Sequence, residues 1–232
     1  MTGAAWGWLA IPTLAIIAGA AVAAFRRPSP AVAAALQHFA AGVVFAAVAG
    51  EILPDLKHAW SPVPVFLGAA LGIALMLLIR RLGERASGPA ASMALVGTDI
   101  LVDGLVLGIA FAAGARQGFI LTVALTIEVL FLGLSVSTEL AEKLSRGRVL
   151  LAATGLALLL PLGALLGGPV ASLPRPALAG FFAFGLVALL YLVTEELLVE
   201  AHAGPETAWV TAMFFVGFLA MLALEEAAAP AG

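Results

Sequence analysis

Along this chain the apolar residues fall into eight long blocks instead of the alternating or one-faced patterns of a soluble fold. The blocks run from about Ala4 to Phe25, Ala31 to Leu56, Val63 to Ile79, Ala91 to Ala113, Gly118 to Leu140, Val149 to Leu166, Ala177 to Ala201 and Ala208 to Leu224. Roughly 20 apolar residues suffice for a helix to cross the hydrocarbon of a bilayer, so each block predicts one crossing. Arg26, Arg27 and two prolines close the first block. It lacks the basic start and the small-residue cleavage site of a signal peptide, which predicts a retained helix. Arg80 and Arg81 end the third block, before the flexible polar link Gly83 to Pro89. Gly114, Arg116 and Gln117 predict a tight turn that makes the fourth and fifth blocks a helical hairpin. A charged link from Glu142 to Arg148 precedes the sixth block, in which Pro161 predicts a kink and Gly167-Gly168-Pro169 the end.

Composition agrees with this pattern. Hydrophobic residues make up 63% of the 232 positions and charged residues 11%, with a mean hydropathy of +1.13. The expected fold is an all-α integral membrane protein, with residues 1–232 forming a single eight-helix transmembrane domain. The net charge of -3 says little about partners, and no nucleic-acid signature is present. The absence of cysteine excludes disulfides, thiolate metal sites and cysteine nucleophiles, so any metal must bind oxygen or imidazole. Orientation follows from the Lys and Arg distribution. Arg26, Arg27, Arg80, Arg81, Arg85, Lys143, Arg146 and Arg148 follow the odd-numbered blocks, against Lys57, Arg116 and Arg175 elsewhere. This excess predicts that both termini lie outside. Trp6, Trp8, Trp60 and Trp209 fall near block ends and read as interface anchors.

The chemistry sits where apolar blocks carry acids. Asp99 and Asp103 stand four apart in the fourth block, hence on one helical face, and Glu128 lies deep in the fifth. An acid near a span centre costs about 2.5 to 3.5 kcal/mol, roughly 8 to 10 kcal/mol for the three, unless something relieves it. No Lys or Arg lies inside a predicted span, which leaves protons, water or a cation, or hydrogen bonds from Thr98, Thr126 or backbone. Ser135 and Glu139 continue the face of Glu128 toward the block end, with Glu142 beyond. Glu51, Asp55 and His58 share one face at the outer end of the second block and could collect cations there. His38, Glu195, Glu196, Glu200 and His202 lie at the opposite ends of the second and seventh blocks. Glu51-Ile-Leu-Pro-Asp55 also echoes Glu196-Leu-Leu-Val-Glu200 in a block of opposite direction, as an inverted repeat would.

Several of these residues resemble motifs of the ZIP family of divalent-metal permeases, especially its bacterial branch. The likeness covers nearly the whole chain. It rests on Phe39-Ala-Ala-Gly42 through Glu51-Ile-Leu-Pro54, and on Leu190-Tyr191 through Thr194-Glu195-Glu196 to Glu200-Ala-His202. It implies an eight-helix bundle with an inverted repeat, outside termini and a cytoplasmic link between the third and fourth helices. In the fourth helix the family writes His-Asn-x-Pro-Glu/Asp-Gly, where this chain has Asp99-Ile-Leu-Val-Asp103-Gly104. In the fifth it writes His-Glu-x-Pro-Glu-Gly, where this chain has Glu128-Val-Leu-Phe-Leu-Gly133. Both leading histidines are thus acids, and both prolines are replaced, by Val102 and Phe131. The family's first metal site maps onto Asp99, Asp103 and Glu128, while an adjacent second site would lack most of its ligands.

The resemblance implies a permease, not an enzyme, that moves a divalent cation inward through one midplane carboxylate site. Glu51, Glu195 and Glu196 stand as further candidate ligands. Mn, Fe, Zn or Mg are the candidate ions, and an all-oxygen set suits the harder ones better than a histidine site does. The expected partners are this ion and the lipid bilayer, with a homodimer left open. The expected location is the bacterial inner (plasma) membrane. Two alternatives remain: a non-transporting homologue, sensor or assembly subunit, with a degenerate site, and a proton-coupled carrier of another small solute.

Overall fold

A computed structural model describes residues 3–25, 28–58, 62–85 and 89–228. All eight blocks are helices long and apolar enough to cross a membrane, and no strand occurs among the described residues. In order these are α1 (Gly3–Phe25), α2 (Pro30–Ala47), α3 (Pro62–Arg85), α4 (Pro89–Ala113), α5 (Ala115–Leu140), α6 (Arg146–Ala157 and Leu159–Gly167), α7 (Arg175–Tyr191) and α8 (Ala208–Ala227). Two helices widen before they end. α2 passes through a π-helical turn, Val48–Ile52, into Leu53–His58, and α7 passes through Leu192–Leu197 into Leu198–His202. Such π turns gather at functional sites, and these two carry Glu51 and Glu195-Glu196.

Local chemistry accounts for the boundaries. Ser29 caps α2 by accepting a bond from the Val32 N–H, with Pro30 at the first helical position, where its missing N–H costs nothing. α6 breaks at Leu158, one turn before Pro161, whose ring nitrogen offers no proton to the Ala157 carbonyl. Two expectations need correction. α3 does not end at Arg80-Arg81 but continues to Arg85, because arginine favours helices and its apolar stem can lie along the helix while its head reaches water. The α4–α5 turn is Gly114 alone, with Arg116 and Gln117 already in the first turn of α5. The side chains of Asp55 and His58, the Trp6 and Trp60 anchors, the arginines at 26 and 27 and the link residues 86–88 lie outside the described residues. Trp8 stacks edge-on against Phe119 at 5.2 Å, and Trp209 is exposed.

Four helix pairs hold the bundle: α1 with α5, α2 with α8, α3 with α7, and α4 with α6. In each pair a glycine on either member faces the backbone of the other, as with Gly42 and Gly217 across α2–α8 and Gly104 and Gly163 across α4–α6. Small residues allow this approach, which matters where lipid gives helices no hydrophobic reason to associate. Exchanging α1 with α6, α2 with α7, α3 with α8 and α4 with α5 turns this set of pairs into itself. Large apolar side chains cover the outer faces, among them Phe66 and Leu71 on α3, Leu151 on α6 and Phe215 on α8, all more than 60% exposed. That surface suits lipid and would be costly in water.

Candidate cation site

The α4–α5 hairpin brings the three acids together. Asp99 and Asp103 lie one turn apart on α4, and Gly114 folds α5 back so that Glu128 meets them. One oxygen from each lies within 4.8 Å of the others. They are 9%, 1% and 1% exposed, respectively. Asp103 Oδ2 and Glu128 Oε2 are buried without a hydrogen-bond partner. The threonines do not supply one: Thr98 donates to the Ala94 carbonyl and Thr126 to the Thr122 carbonyl, each within its own helix. Nor does a cationic side chain reach the trio among the described ion pairs. Three buried carboxylates so placed require compensation by protons or by a bound cation.

The other candidate ligands divide. Glu196, on the π turn of α7, comes beside Asp99 and makes a fourth carboxylate at the edge of the trio. Glu195, on the same turn, is held by Arg80, whose Nη1 donates to its Oε2 at 2.9 Å. Glu51 lies beyond the trio toward the far end of α2, where Arg116 Nη2 stands 3.0 Å from its Oε1. Two arginines thus stand within the helices, Arg80 five residues before the end of α3 and Arg116 in the first turn of α5. Each is committed to an acid outside the trio.

A cavity of ≈ 460 Å³ lies where α3, α5 and α7 finish, and it reaches Asp99. Its walls carry Arg80, Ser135, Glu139, Tyr191, Glu195, Glu196 and Glu200. The predicted polar face of α5 is therefore part of this wall, and Ser135 Oγ donates to Glu200 Oε1 at 2.5 Å. Toward the Glu51 end lies a pocket of ≈ 20 Å³, walled by Ala47, Val106, Ile109, Leu121 and Phe182, with Glu51 and Gln117 at its polar edge. That is room for about one water.

Sequence reasoning missed Glu225. It is 7% exposed, its Oε1 is buried without a partner, and its carboxylate packs directly on Gly50. Arg116 donates to its backbone carbonyl at 3.2 Å, so Arg116 ties α5 to both α2 and α8 at this end. The signal was present: Glu225 follows Gly217 and Met221 at spacings of eight and four, on the one face of α8 that packs inward. No protein-family model matches the chain, and no curated protein matches it.

Proposed function

We propose that the chain is a membrane permease of ZIP-like architecture that carries a divalent cation on Asp99, Asp103 and Glu128. The observation that carries this reading is the buried trio itself: oxygens from two helices within 4.8 Å, two of their carboxylate oxygens unpartnered, beside a cavity of ≈ 460 Å³ that reaches Asp99. A cation would satisfy in one step the charge and the missing partners of all three groups. Glu196 would stand at the cavity side of the site, able to join the ligand set as the ion leaves.

The pairing of helices supports the inverted repeat. The exchange that preserves the four pairs relates each helix to one of opposite direction, including α2 to α7, whose sequences echo one another and whose π turns correspond. With both termini outside, the cavity that reaches Asp99 would face the cytoplasm, in keeping with an inward-open state of an alternating-access carrier. The missing family histidines favour the non-transporting alternative, so the test must separate the two. Purified protein in liposomes should take up Mn²⁺ in a manner abolished by Glu128→Gln. Binding without flux would identify a sensor or subunit, and flux of an organic solute with no cation requirement would identify the third class.

A further inference from the structure

Where the start of α2 passes the end of α7, His38 and His202 stand with ring centroids 5.0 Å apart and planes inclined at 59°. Their hydrogen bonds fix the tautomers. His38 Nδ1 lies 3.0 Å from the Ala34 carbonyl oxygen and His202 Nδ1 lies 2.5 Å from that of Leu198, each one turn back along its own helix. A carbonyl oxygen can only accept, so each Nδ1 carries the proton, and in the neutral ring each Nε2 keeps its lone pair. That is the arrangement of metal-binding histidines, in which the second ring nitrogen donates to a backbone carbonyl. His38 is 2% exposed, and its Nε2 is buried without a partner. Packing alone leaves such an acceptor unsatisfied, at a cost of about 1 to 3 kcal/mol.

Gln37 and Glu200, neighbours of the two histidines in sequence, line a cavity of ≈ 490 Å³ together with Ser135, Glu139 and Glu142. His202 is exposed, so its ring can adjust to an incoming ion. We propose that His38 and His202 bind a borderline transition-metal ion, Zn²⁺ or Cu²⁺ in class, through their Nε2 atoms, with water or carboxylate completing the shell. Imidazole favours these ions over Mg²⁺ and Mn²⁺, so this pair gives the chain a nitrogen site separate from its all-oxygen trio. The inference stands independently of the trio's function.

Electron paramagnetic resonance of the purified protein, prepared without a histidine tag and given sub-stoichiometric Cu²⁺, reads the ligands directly. The expected spectrum shows superhyperfine coupling to two nitrogens, displaced by Zn²⁺ but not by Mg²⁺. His202→Ala and His38→Gln should each reduce the coupling from two nitrogens to one at most and weaken Cu²⁺ binding by roughly tenfold or more. Since His202 is exposed, its variant carries the test even if the buried His38 variant fails to fold. His58→Ala, the remaining histidine, and Glu128→Gln should leave the coupling intact. An oxygen-only spectrum in the unaltered protein would overturn the proposal, as would two-nitrogen coupling that survives in His202→Ala or is lost in His58→Ala.

Discussion

A methyl group on Gly104 should disable the cation site without touching a ligand. Gly104 follows Asp103, and a Cβ there would sit 2.9 Å from the carbonyl carbon of Leu160 on α6, with the carbonyl oxygen nearer still. Carbon atoms pack at about 3.5 Å or more. The backbones must therefore separate by at least 3.5 − 2.9, about 0.6 Å. α6 also packs against α1 and cannot simply retreat, so α4 takes up part of the shift and carries Asp99 and Asp103 away from Glu128. Metal–ligand distances tolerate only about 0.2 Å. The expected loss of Mn²⁺ affinity in Gly104→Ala is roughly 10- to 100-fold. Overpacking should also cost about 1 to 3 kcal/mol of stability, against roughly 1 kcal/mol gained from alanine's helix propensity. Gly163→Ala, which presses on the same contact from α6, should behave alike. Gly155, with open space around its Cα, provides the control, since Gly155→Ala should leave binding unchanged. Calorimetric titration of the three variants in detergent decides the matter: a folded Gly104→Ala protein that binds as the parent does would refute the claim that α4–α6 packing positions the trio.

Orientation is open to labelling because the chain has no native thiol. Ser145→Cys, after α5, should resist impermeant thiol reagents in intact cells while Ser172→Cys, after α6, reacts, and the reverse pattern would invert the topology. Cation binding to three crowded acids must displace protons, so affinity should weaken as pH falls from about 8 to 5, with protons released to the medium; a flat profile would separate the acids from the ion. Arg116→Met removes the guanidinium that faces buried Glu51 and should lower the melting temperature, by a free energy under about 3 kcal/mol because the arginine is itself half exposed. Adding Glu51→Gln should recover most of that loss, and failure to do so would mean that the pair is not what holds this end.

The eight helices were legible because their signal, length of apolar run, is set by bilayer thickness and needs no tertiary information. The trio was legible for a related reason: carboxylates within such runs have few places to go. Boundaries were less so. Arg80 marked a helix end by its charge, yet it lies inside α3, where its partner Glu195 comes from a helix over a hundred residues away. Glu51 and Glu195 entered the candidate ligand set on residue type, and the arginines that claim them could be found only from the packing. Glu225 escaped because it lies just past an apolar block, although its spacing from Met221 placed it on the packed face. The pairing of α1 with α5 and of α2 with α8 depends on glycine contacts between distant segments, and one sequence carries no direct record of those.

The central claim is that Asp99, Asp103 and Glu128 hold a divalent cation. Isothermal titration of the purified chain with Mn²⁺ at neutral pH, beside Asp103→Asn, tests it most directly, because Asp103 is buried, lies outside the walls of the larger cavity and keeps its shape as asparagine. The predicted result is saturable binding with proton release in the parent and an affinity at least about tenfold weaker in Asp103→Asn. Equal binding by the two proteins, or none by a folded parent, would contradict it.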